Sequence, residues 1–201
     1  MITLDCEQGS EEWLAARMGV PSASNFRKIL PANMKLSTQA PGYRHTLLAE
    51  LLGVRADVYQ NDAMKRGTEL EPEARETYEF VTGATVEQVG FCLRDDGRVG
   101  CSPDGLIDED GGLEIKCPMA HTHVAYLLRG ECPHDYYPQV QGAMYVCGPG
   151  RQWWDFMSYY PGLPPMIVRV ERDDEYISAL KDALDDFLFK LDSEYDQLKR
   201  G

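Results

Sequence analysis

The sequence predicts a mixed α/β fold with a small central sheet flanked by helices. Three observations carry this. Apolar residues recur at helical spacing in the first eighty residues and again after residue 120. Between these regions the pattern changes to short apolar runs broken by Asp-Gly turns. The chain has 201 residues, 43% of them hydrophobic, with neither repeat nor low-complexity linker, which suits one domain spanning residues 1–201.

Taken in order, Ser10 caps a short helix with Glu11 and Glu12 in its first turn and Gly19 at its end. A second short helix is expected over Ser22 to Leu30, then a loop from Pro31 to Gly42. Leu47, Leu48, Leu51 and Leu52 form the stripe of a helix stopped by Gly53. A longer helix runs from about Asp62 to Val81, and Pro72 is expected to kink or restart it. A three-stranded meander follows, over Thr85–Leu93, Val99–Pro103 and Leu113–Cys117. Helices at His121–Leu128 and Tyr136–Val146 precede strands at Trp153–Tyr159 and Met166–Val170. The last helix carries Tyr176, Leu180, Leu184, Phe187, Leu191, Tyr195 and Leu198 on one face and starts at Asp173 or Asp174.

Composition narrows the function. Nothing approaches the ~18 apolar residues of a membrane helix, and the start lacks a secretory pattern, so a soluble, cytoplasmic protein without a membrane partner is expected. The six cysteines show no zinc-knuckle spacing and read as reduced core thiols. Of the four histidines, His121 and His123 alone are close together, which argues against a catalytic zinc. The net charge of −13 speaks at first against nucleic acid, but it is unevenly spread: residues 17–66 carry +5 and residues 67–116 carry −9. This suits a cation site beside a bound polyanion, but on charge alone a solvated acidic face is the better reading.

The chemistry concentrates in Cys101-Ser102-Pro103-Asp104-Gly105-Leu106 and Gly112-Leu113-Glu114-Ile115-Lys116. Glu114 and Lys116 lie two apart on a strand and share a face. The intervening turn can bring Asp104 beside Glu114. Two carboxylates and the Ile115 carbonyl offer hard oxygen ligands for Mg²⁺, with Mn²⁺ as an alternative, at two ions per site. Lys116 beside such ions is expected to have a depressed pKa and to orient or deprotonate water. Asp104 is the sole Asp after a Pro, and Lys116 the sole Lys of seven with an acid two residues before it. On spacing alone, a hairpin with solvated charges remains about as good a reading.

The order Pro-Asp, then Glu-x-Lys, resembles the PD-(D/E)XK nuclease signature. The surrounding sequence resembles the bacteriophage lambda exonuclease family, the YqaJ-type viral recombinases, through Arg17-Met18-Gly19-Val20-Pro21-Ser22-Ala23-Ser24, His45 to Glu50, Gly112 to Pro118, Gln139-Val140-Gln141 and Val170 to Asp173. The resemblance implies a restriction-endonuclease-like fold. It implies metal ligation by Asp104, Glu114, the Ile115 carbonyl and Glu71, with Lys116 as the catalytic lysine and Gln139 beside it. Glu71 reads otherwise as one exposed helix charge among Glu69, Glu73 and Glu76. Arg17 and Ser24 match positions that hold the 5′ phosphate of the digested strand; Ser24 is otherwise a helix cap. Gln141 and Tyr145 are further DNA contacts or, alternatively, helix packing. In the Pro31–Gly42 loop, which departs from the family in length, Lys35 is the basic contact.

By resemblance the protein is a double-strand DNA exonuclease digesting 5′ to 3′. It would leave a 3′ overhang for a single-strand annealing recombinase and act as a ring-shaped homotrimer in the cytoplasm of a phage-bearing bacterium. The alternatives are an endonuclease of the same fold and an inactive DNA-binding or recombinase-docking module.

Overall fold

A computed structural model describes residues 1–54 and 62–200. Helices and strands follow in the order β1 (Ile2–Leu4), α1 (Glu11–Arg17), a 3-10 helix (Ala23–Lys28), α2 (Ala40–Leu51), α3 (Asp62–Thr82), β2 (Phe91–Leu93), β3 (Gly100–Cys101), β4 (Gly105–Ile107), β5 (Gly111–Lys116), α4 (Ala120–Arg129), α5 (Tyr137–Cys147), β6 (Trp153–Ser158), β7 (Met166–Glu171) and α6 (Asp174–Arg200).

The expected meander does not form. Its strands divide between two sheets, one ordered β1-β2-β3 and one ordered β4-β5-β6-β7. The first sheet is antiparallel, while the second is mixed through the parallel pairing of β5 with β6. The expected turn at Asp110–Gly112 falls partly inside β5; the reversal is made instead around Asp108, which holds a positive φ of 46°. Asp tolerates that conformation better than most side chains. Gly111 and Gly112 are needed for packing. A Cβ there would come within 2.1 Å of the Trp153 ring and 2.4 Å of the Trp154 ring, so the bare backbone lets both indoles of β6 lie across β5.

The helix expected from Ser22 is a 3-10 segment beginning at Ala23, and α2 starts at Ala40, inside the expected loop. α3 runs through Pro72 without a break. An internal proline costs ~3 kcal/mol, which is offset here because Ala74 and Tyr78 on α3 are buried in a core with Ile107, Leu113, Ile115 and Met157. The larger core lies around α5, whose Val140, Ala143, Met144 and Val146 are buried against the 3-10 helix, both sheets and α6. α6 is capped by Asp173, which accepts from Tyr176 N–H at 2.9 Å. No helix among the described residues is long and apolar enough to cross a membrane.

Candidate active site

β5 is buried on both faces, and Glu114 is only 2% exposed. A buried carboxylate needs compensation. Lys116 on the same face of β5 donates to its Oε1, and so does Gln139 Nε2 from the first turns of α5. Asp104, just before β4, is drawn to the same place by two main-chain bonds. Its N–H donates to the Leu113 carbonyl at 3.2 Å, and its Oδ2 accepts from Ile115 N–H at 2.5 Å. The two acids ten residues apart are thus locked side by side by the β4–β5 pairing.

α3 packs on β5 and brings Glu71 and Arg75 to this cleft, which Glu71, Arg75, Asp104 and Gln8 line together. Burial, reinforced by Asp104, pushes the Glu71 carboxyl up to about 7. Burial also lifts Glu114 to about 7, with Asp104 and Glu71 adding to it against the pull of Lys116. Asp104 is raised as well, by burial first. Burial pulls the Lys116 ammonium down, but Glu114 and Asp104 more than offset it, so its pKa lies above the usual range. Its close partners are carboxylates, whereas the depression expected of this lysine belongs to a site holding divalent ions. Three crowded carboxyls whose ionisation is opposed by burial and by one another form a hard oxygen donor set that a divalent cation would relieve. They fit Mg²⁺ or Mn²⁺ in chemistry and in charge.

A second polar cluster forms where α1 meets β3. The Arg17 guanidinium donates to Ser102 Oγ at 3.0 Å and to Ser22 Oγ at 3.2 Å. It lies over Trp13, 4.2 Å from the ring centroid, and 5.4 Å from that of Phe91. No carboxylate among the described residues pairs with it, and burial lowers its pKa. Ser24 is exposed, its Oγ 3.3 Å from that of Ser22. It is not a helix cap, because Ser22 takes that position. Arg17, Ser22, Ser24 and Ser102 therefore form one hydroxyl-rich cluster around the Arg17 guanidinium.

Two expected DNA contacts, Gln141 and Tyr145, have partners within the chain. Gln141 is fully buried; its amide donates to the Glu171 carbonyl at 2.8 Å and its Oε1 accepts from Asp173 N–H at 3.0 Å. Both ends are used in tying α5 to the β7–α6 junction, as helix packing requires. Tyr145, six residues along α5 from Gln139, meets Arg94 in a separate groove with Asp96 and Pro149. Lys35 is exposed on the loop before α2. The basic stretch is not one surface either. Arg44 makes a bidentate pair with Glu194 on acidic α6, Arg27 pairs with Asp135, and Arg55 lies outside the described residues.

Sequence reading missed Arg75, which donates to the Asp104 carbonyl at 3.3 Å, and Tyr136, whose ring lies 5.5 Å from the Lys116 ammonium. It quoted Ser22 and Ser102 within motifs without giving them a role. Of the two histidines, His123 is spent on Ser158 Oγ at 2.7 Å and the Pro164 carbonyl at 3.0 Å.

No curated protein matches the sequence. Among solved structures, the chain is similar to an alkaline exonuclease from Laribacter hongkongensis, at 38% identity, a TM-score of 0.86 and coverage of 95% of this chain and 97% of that one. The same enzyme in complex with dAMP matches at 38% identity with a TM-score of 0.85 over the same shares of both chains. A phage-related exonuclease from Haemophilus somnus 129PT shares the fold at 18% identity, with a TM-score of 0.62 over 90% of this chain and 95% of that one. The fold is of the PD-(D/E)XK type. With residues 12–149 matching the YqaJ-like viral recombinase domain, the chain belongs to that family.

Proposed function

We propose that this protein is a metal-dependent exonuclease that digests one strand of duplex DNA from a 5′ end and leaves a 3′ overhang for an annealing recombinase. The observation that carries the reading is that Glu71 and Asp104 line one cleft and crowd the buried Glu114, which accepts from Lys116 and Gln139. The relationship to an alkaline exonuclease across nearly the whole chain supports it.

In this reading Asp104, Glu114, Glu71 and the Ile115 carbonyl hold Mg²⁺, or Mn²⁺, at two ions per site. Bound there, such ions polarise a phosphoryl oxygen and lower the pKa of coordinated water. Lys116 places a positive charge where the attacked phosphate gains negative charge and where the attacking water must be oriented. Gln139 and the Tyr136 ring fix the direction of that ammonium by bracketing it and its carboxylate partner. The Arg17 pocket takes the terminal 5′ phosphate, with Ser22, Ser24 and Ser102 supplying hydroxyl donors.

Linear and covalently closed circular duplex, each incubated with Mg²⁺, separate the readings. Loss of the linear form alone is expected. Cutting of the circle would establish an endonuclease, and binding without cleavage of either form would establish an inactive docking module.

A further inference from the structure

Away from the acidic cleft, the molecule gathers a second set of ligating side chains, and these are sulfur. Cys92 on β2 and Cys101 on β3 are paired directly across the antiparallel ladder, so both side chains leave the sheet on one face. Cys147, the last residue of α5, comes down on that face. The sulfurs of Cys101 and Cys147 are 3.6 Å apart, and all three lie within 4.8 Å of one another. Cys92 and Cys101 are closed off from solvent, while Cys147 is half-buried.

The spacing is compatible with a shared metal ion. A Zn–S bond of about 2.3 Å places tetrahedral sulfurs about 3.8 Å apart and trigonal ones about 4.0 Å apart. Two of these thiols are already near that separation on rigid elements, and the third is close by. Hydrogen bonds from Cys101 and Cys147 draw the Cys92 thiol downward, with a small contribution from the Arg151 guanidinium. Burial pushes the Cys101 thiol up and Cys147 is raised as well, so these two ionise only with a cation bound.

We propose that Cys92, Cys101 and Cys147 form a three-thiolate site for a soft d10 cation, Zn²⁺ or Cu⁺. Each thiol loses its proton on coordination, so binding releases up to three protons and changes no oxidation state. Among the described residues no His, Asp or Glu joins the cluster. Cu⁺ is satisfied by three sulfurs, whereas Zn²⁺ takes a water on the Cys147 side. The protein then sorts metals by softness, with hard Mg²⁺ on oxygen and the soft ion on sulfur. The bound ion would tie the first sheet to the end of α5, the helix that also carries Gln139.

The test uses the full chain with Cys6, Cys117 and Cys132 changed to Ser, which removes the thiols outside the cluster. It is titrated without oxygen with Zn²⁺, with Cu⁺ and with Cd²⁺ as an optical probe. The expected results are one ion per chain, an ultraviolet thiolate-to-metal band with Cd²⁺, and a Tm rise of a few degrees with at least one of Zn²⁺ and Cu⁺. Cys101→Ala and the half-buried Cys147→Ala, each in that background, should each lose the band while keeping the far-ultraviolet dichroism of a folded chain. Should Cys101→Ala fail to fold, Cys147→Ala decides alone. Absence of the band, its survival in Cys147→Ala, or loss of two titratable thiols to a disulfide before any metal is added would each overturn the site.

Discussion

Gln139 donates to Oε1 of Glu114, the same oxygen that accepts from Lys116. One carboxylate oxygen thus organises a lysine from β5 and an amide from α5, and the two donors should not be equivalent in function. Lys116→Ala removes a charge that acts on the reacting phosphate. It should lower the cleavage rate by about 10²- to 10⁴-fold with DNA binding little changed. Gln139→Ala removes one positioning hydrogen bond and should cost about tenfold. Single-turnover rates beside binding isotherms check both, and near-normal turnover of Lys116→Ala would remove the lysine from the reaction.

Asp104 differs from both because its expected role is ligation. Asp104→Asn keeps an oxygen for Ile115 N–H but loses charge, so it should lose Mg²⁺ binding and cleavage together. Calorimetric titration with Mg²⁺ and the cleavage assay are the two readouts. Ca²⁺, which accepts looser geometry, should support DNA binding by the unmutated protein without efficient hydrolysis.

Much of this site was legible because it depends on short-range rules. Glu114 and Lys116 share a face through the two-residue period of a strand, and Asp104 reaches them through a tight reversal. The parts that were not legible depend on distant pairings. β1 is three residues long and exists because it pairs with β2 some ninety positions away. β4 is also three residues long, and Asp108 rather than a glycine makes the turn after it. Gln141 and Tyr145 share a helix with Gln139, and a one-dimensional pattern does not tell which way each points. Their partners, Glu171 and Arg94, come from other elements.

The strand end gives a further test. Arg17→Ala should reduce the preference for a 5′-phosphorylated end over a 5′-hydroxyl end by about tenfold, the value of a charge-assisted contact. Because Arg17 also lies over Trp13, the same variant should lose ~1 kcal/mol of stability. Ser24→Ala touches only an exposed hydroxyl and should shrink the preference without that loss. Equal rates on both ends in the unmutated protein would take this pocket out of the mechanism.

Stability should depend strongly on Asp155, buried between α3 and β7. It accepts from Tyr78 Oη at 2.7 Å and from both arms of Arg169 at 2.9 and 3.0 Å. Asp155→Ala strands the buried phenol and should cost about 3 kcal/mol. Tyr78→Phe removes one hydrogen bond and should cost about 1 kcal/mol. Urea midpoints at constant slope measure both. A cost for Asp155→Ala no larger than that for Tyr78→Phe would contradict this account.

The cap of α6 predicts an acid dependence. The Tyr137 hydroxyl at 2.6 Å, with the N–H of Tyr176, holds the Asp173 carboxyl below its usual value of 3.8. A depressed folded pKa means that the stabilisation is complete above 3.8 and disappears as pH falls through the folded value. Asp173→Asn keeps a capping oxygen but has no proton to take up. Its Tm should therefore fall less than that of the unmutated protein between about pH 5 and pH 2. Parallel Tm curves would rule out this contribution.

An acidic protein that travels along DNA must be kept on its track by something other than average attraction. The net charge is −13, and α6 carries eight of the acids, of which the Lys181–Asp185 and Lys190–Asp186 pairs neutralise only part. Part of the basic segment is spent locally, since Arg44 is held by Glu194 of that helix. Arg17 and the exposed Lys35 and Lys65 are among the cations left to meet phosphate. Against an acidic average field, a single subunit would bind weakly and release fast. We therefore propose a closed ring, a homotrimer by family resemblance, that encloses the duplex and replaces attraction by topology. In such a ring, competitor DNA added after loading should barely slow digestion. Raising the salt should weaken loading more than ongoing hydrolysis, because loading is the step that releases counterions. Sedimentation at working concentration with a trap assay on the same sample decides the matter. An active monomer that stops as soon as the trap is added would eliminate the ring.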